Sequence, residues 1–137
     1  MPNTQASGVA YSDPEFTTCY ASQEIGYTAA AQGAVTQATS KSTGVTLNNS
    51  AGRITMNNAA LAGGAVASFV LTNSLISTND TIIVCVSSNT TGSAAAAYTT
   101  YISYLAAGTC LISLRNLSAT SYSEAVIINF AIIHGAS

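Results

Sequence analysis

From Val35 onward, apolar and polar residues alternate with a period of two, in short runs broken by turn residues. Ser, Thr, Val, Ile and Tyr dominate these runs, and β-branched and aromatic side chains favour pleated strand over helix. The pattern predicts strands near 34–39, 44–47, 52–57, 65–73, 81–88, 97–105, 109–115 and 123–134. Turn chemistry falls between them, at 41–44, 48–52, 62–64, 77–80, 89–93 and 106–108. About eight short strands at regular spacing predict an all-β domain, an antiparallel β-sandwich or jelly-roll-like fold.

The alternation also assigns faces. Val126, Ile128, Phe130 and Ile132 share one face of their strand, and Ile127, Asn129, Ala131 and Ile133 share the other. Both faces are largely apolar, which places the strand centrally in its sheet or beneath a neighbouring subunit. Ile82, Val84 and Val86 oppose Ile83 and Cys85 in the same double-sided way, whereas Leu111, Ser113 and Arg115 oppose Cys110, Ile112 and Leu114 with a clearer inside and outside. Strict alternation puts Tyr98 and Tyr104 on one side and Tyr101 on the other. These three tyrosines are candidate interface residues, because an aromatic ring with a polar tip suits a subunit contact. Residues 57–62 could instead form a turn of helix, capped by an Asn and ended by Gly63. The Ala94–Ala97 run reads as a hairpin tip.

Residues 1–33 differ from the 34–137 domain. Val9, Tyr11, Phe16, Tyr20, Ile25 and Tyr27 occur there without a sustained period, among Pro2, Gly8, Pro14 and Gly26. Large apolar residues without periodicity suit an extended arm that docks onto something, and Tyr11, Phe16, Tyr20, Ile25 and Tyr27 are its candidate contacts. The N-terminus has neither a basic region nor a following apolar run, so no secretory signal is expected.

Charge narrows the function. The 137 residues include only three Lys or Arg and five Asp or Glu, against about a quarter charged in an average domain. Lys41, Arg53 and Arg115 are dispersed, so no nucleic-acid binding is expected: no run can neutralise successive phosphates. No apolar stretch approaches a membrane span, and no basic amphipathic face suits a lipid surface. Charge normally keeps a free protein soluble and its strand edges apart. A chain without it points to assembly with neighbours rather than catalysis.

The candidate chemistry is sparse. His134 is the sole histidine and no Gly-x-Ser-x-Gly elbow accompanies it, so it reads as a rim residue. No metal-ligand spacing, paired carboxylates or phosphate loop is present, and no cofactor or small-molecule substrate is expected. Cys85 and Cys110 read as small core residues within strands; a bridge between them would need an oxidising compartment. The four Asn-x-Ser/Thr sequons, at Asn48, Asn79, Asn89 and Asn116, are what chance supplies in so Ser- and Thr-rich a chain. Arg115 and Glu124 are expected to form a structural ion pair across adjacent strands.

The segment Ala34-Val35-Thr36-Gln37-Ala38-Thr39-Ser40-Lys41-Ser42-Thr43-Gly44-Val45-Thr46-Leu47-Asn48 resembles a recurrent motif of small virion structural proteins of tailed bacteriophages. So do Gly52-Arg53-Ile54-Thr55-Met56 with Ala59-Ala60-Leu61-Ala62, the segment Ser68 to Ser74, Ser113-Leu114-Arg115-Asn116, and Ser123-Glu124-Ala125 leading to Asn129-Phe130-Ala131. The resemblance covers about residues 26–133. A Gly-Gly pair is expected before the Val-Thr-Gln segment, where this chain has Gln32-Gly33. The resemblance implies a virion component without catalytic residues. Its leading form is a capsid decoration (cement) protein on the outer capsid surface, made in the host cytoplasm. Such a protein would be a homo-oligomer, a trimer by expectation, bound to the phage major capsid protein. The alternative is a tail-fibre or receptor-binding module.

Overall fold

The computed structural model describes residues 17–89 and 95–135. Its strands are β1 (Gln32–Thr36), β2 (Val45–Thr46), β3 (Ala51–Thr55), β4 (Val66–Thr72), β5 (Thr81–Asn89), β6 (Tyr98–Ala106), β7 (Thr109–Asn116) and β8 (Val126–Ile133). They form two four-stranded sheets, a first in the order β1-β3-β8-β5 and a second in the order β2-β4-β7-β6. Packed together, these make an all-β sandwich. Residues 57–62 do not form the helical turn; Leu61 instead bridges Tyr122 in antiparallel fashion. Ala95–Ala97 make one turn of 3-10 helix that leads into β6.

Strand pairing departs from the purely antiparallel expectation. Only β6 and β7 follow each other within one sheet, joined by Ala107-Gly108 with Gly108 at φ 76. Every other connection crosses between the sheets. Because β2 lies in the opposite sheet, β1 and β3 run the same way and pair in parallel; β2 and β4 do likewise around β3. The remaining pairs are antiparallel.

The core lies between the sheets. Phe69 and Leu71 of β4 and Ile112 and Leu114 of β7 face Ile54 of β3 and Ile128 and Ile132 of β8. β8 occupies the central position expected of a double-sided strand, between β3 and β5. β5 is an edge strand, and Ile83 and Cys85 on its outward face, away from the second sheet, are exposed. That corrects the core assignment of Cys85: it shares the outward parity of Ile83, whereas Cys110 points inward from the second sheet. Both are free thiols, and burial pushes Cys110 up to about 11.

Gly33 and Gly52 are register partners in β1 and β3. A Cβ on Gly33 would sit 2.7 Å from a Leu47 methyl, and one on Gly52 would meet the other Leu47 methyl at 2.7 Å and the Phe130 ring at 2.8 Å. Leu47 therefore seals this end over two bare backbones, which gives Gly33 a packing reason to be glycine; the neighbouring Gln32 amide donates to the Tyr27 carbonyl (3.1 Å).

Candidate interaction surface

The buried polar residues hold loops in place. Lys41 is buried and its Nζ donates to the backbone carbonyls of Asn57 (2.6 Å) and Glu124 (2.5 Å). Gln37 completes the cluster: its amide donates to the carbonyls of Lys41 (3.1 Å) and Thr43 (2.8 Å) and accepts from the Asn57 N–H (3.0 Å). Burial lowers the Lys41 pKa below 10.5, with the Glu124 charge opposing the shift. A lowered lysine pKa is a folding cost, carried at low pH and relieved as pH rises from the folded value towards 10.5.

Glu124 thus has Lys41, not Arg115, as its basic neighbour. The expected pairing took the strands at 109–115 and 123–134 to be adjacent, but β7 and β8 belong to opposite sheets. Arg115 points outward from β7, in register with Val66 and Thr99. Tyr98 faces the same buried end. Burial and then the Glu124 charge push its hydroxyl up to about 12.

His134 and Asp80 meet at 3.3 Å, but the arrangement is a turn clamp. The Asp80 carboxylate accepts from the Ser77 N–H (2.7 Å), the Ser77 hydroxyl (2.9 Å) and the Gly135 N–H (3.0 Å). The carboxylate therefore stands between serine and histidine, which is not the Ser-His-Asp order in which the imidazole contacts the serine. These bonds, the Ser77 N–H foremost, hold Asp80 below 3.8. A depressed carboxylate pKa stabilises the fold fully above the unfolded value, and the contribution is lost as pH falls through the folded one. Thermal melts should show that loss below pH 3.8 in the wild type and a weaker acid dependence in Asp80→Asn. Identical acid profiles would remove Asp80 from this role.

The outer face of the second sheet has a different character. In β6 the register with β7 shifts between Ile102 and Tyr104, a bulge at Ser103. The extra residue inverts the parity beyond it. Tyr101 and Tyr104 therefore share the outward face, 43% and 62% exposed, while Tyr98 is only 7% exposed in the core. This corrects the assignment from strict alternation. Tyr104 lies in register with Leu111, and Leu111 with Val70; one row along, Tyr101 pairs with Ser113 and Ser113 with Ser68. The Ser113 hydroxyl bonds those of Ser68 (2.8 Å) and Ser103 (2.9 Å), a ladder across three strands. Val66 and Val70 are exposed beside it, and Arg115 is the face's only formal charge. The outward parity of Val66, Ser68 and Val70 was visible in the sequence, but the serine ladder needs β4 and β6 on either side of β7.

No family model, curated protein or solved structure matches the chain.

The arm crosses the outer face of the first sheet. The Tyr27 hydroxyl donates to the Ile132 carbonyl, and an open groove of about 540 Å³ beside it is lined by Ile25, Ile83, Ala131, Ile133 and His134. Upstream, Tyr20 and Ile25 are 92% and 86% exposed. Tyr11 and Phe16 lie outside the described residues.

Proposed function

We propose that this chain is a bacteriophage capsid decoration protein that sits as a homo-oligomer, a trimer, on the outer shell and stabilises the head. The observation that carries the reading is the outer face of the second sheet. It is aromatic and nearly uncharged, and its serine hydroxyls already bond one another, so covering them with protein leaves few of them unsatisfied. The resemblance of the 26–133 motifs to small virion proteins supports the same reading. Many weak copies on a closed shell add up through multivalency, so each needs only modest area.

The test is to add purified protein to capsids that lack it and count bound copies by particle reconstruction. Occupancy of many symmetry-related shell sites is expected. Deleting residues 1–25 should lower occupancy while circular dichroism shows the sandwich intact. A handful of copies at the tail, with antibodies to the protein blocking adsorption, would overturn decoration and leave a receptor-binding module.

A further inference from the structure

We propose that the arm segment Tyr20–Ile25 of one copy docks on the outer face of the second sheet of another copy, Glu24 pairing with Arg115 and Tyr20 and Ile25 lying against Val66, Val70 and Tyr101. The inference rests on the assembly reading above only in supposing that copies meet.

Three observations converge on it. The first is what the arm leaves bare. Tyr27 is tied down by its bond to the Ile132 carbonyl, yet Ile25 and Tyr20, two and seven residues upstream, are almost wholly exposed. Large apolar side chains left bare on an anchored segment suit a docking peptide.

The second is charge. Of the described acids, Asp80 and Glu124 are buried, and Glu24 alone is exposed. Of the described lysines and arginines, Lys41 is buried, and Arg53 and Arg115 are exposed. Arg53 borders the cleft that holds its own arm's Gly26 and Tyr27. Arg115 stands on the opposite face, beside Val66 and one row from Tyr101, where no described part of its own arm lies. The exposed acid of the described arm and the cation on an apolar face are complementary.

The third is reach, which selects a second copy. Glu24 is three residues from the Tyr27 anchor on the first sheet, so the backbone between them extends at most about 10 Å. The outer faces of a two-sheet sandwich lie about 20 Å apart once both outer side-chain layers are added to the inter-sheet spacing. The arm cannot bring its Glu24 to its own Arg115.

Sedimentation of the free full-length protein tests this without capsids. The wild type should associate with rising concentration. Glu24→Arg and Arg115→Glu should each weaken association at least about tenfold, and the double reversal should recover most of it. Val66→Asp, which alters the receiving face alone, should weaken it as well. All of these sites are exposed, so unchanged thermal melts are expected and confirm that the variants fold. A wild type that stays monomeric at every concentration would overturn the proposal. So would single reversals without effect, or a double reversal no better than either single. Loss of capsid occupancy with intact self-association would strike the decoration reading instead, leaving this contact standing.

Discussion

Lys41→Met should lower the folding free energy by about 3–5 kcal/mol, because it strips the cation from a buried site whose other members stay in place. The Nζ now satisfies the carbonyls of Asn57 and Glu124 at 2.6 and 2.5 Å. Methionine fills much of the volume but donates nothing, so both carbonyls lose a charge-assisted bond and the buried Glu124 loses its neighbouring positive charge. Gln37 would still tie the 41–43 turn, so the site should loosen rather than dissolve. Urea titration gives the loss, and the melting temperature should drop by roughly 10 °C or more. Adding Glu124→Gln removes the stranded charge, so the double variant should lose less than the sum of the singles. A Lys41→Met loss under about 1 kcal/mol would mean that the ammonium reaches water and the cluster is not what closes this end.

The period-two pattern was enough to read eight strands and a sandwich, because strand faces are written locally in alternate residues. It did not contain sheet membership. That is why Arg115 and Glu124 looked like cross-strand partners although β7 and β8 lie in opposite sheets, and why two parallel pairings were not expected. Nor does alternation register an inserted residue: the bulge at Ser103 moved Tyr104 to the side of Tyr101 and left Tyr98 alone in the core. Cys85 failed for a simpler reason. Its strand is apolar on both faces, but Cys85 takes the outward parity of Ile83 and is left exposed there.

The residues that carry the family resemblance do two kinds of work. Gln37, Lys41, Asn73 and Asn116 are buried polar groups that bond backbone in the loops, and Gly33 and Gly52 admit Leu47. These describe how the sandwich closes. On the outer face of the second sheet, Val66, Tyr101, Tyr104 and Leu111 lie outside the quoted motifs, whereas Ser68, Val70, Ser113 and Arg115 lie within them. The motifs therefore cover both the closing of the sandwich and half of that outer face.

Asn116→Ala should cost about 3 kcal/mol, and the damage should be local. Asn116 is fully buried at the end of β7. Its amide nitrogen donates to the carbonyls of Leu61 (3.0 Å) and Thr120 (2.8 Å), while its oxygen accepts from the N–H (3.0 Å) and hydroxyl (2.8 Å) of Ser118. One side chain thus joins the loop after β7 to the loop before β4, the same two segments that meet in the Leu61–Tyr122 bridge. Alanine removes all four bonds: the Leu61 and Thr120 carbonyls each keep one donor, the Tyr122 N–H and the Ser118 hydroxyl, but the Ser118 N–H loses its acceptor, and a group left unpaired costs about 1–3 kcal/mol. Urea unfolding should show a lower midpoint with an unchanged slope, since the fold is the same and only its stability falls. Hydrogen exchange should localise the change. The Leu61 and Tyr122 amides, which bond each other's carbonyls at 2.9 and 3.2 Å, should lose protection beyond the global loss, while those of β8 should follow the global change alone. Asn116→Asp keeps the oxygens but turns an acceptor towards two carbonyls, so it should be no better than alanine at neutral pH. A uniform loss of protection across the sandwich would show instead that the two loops unfold only with the whole domain.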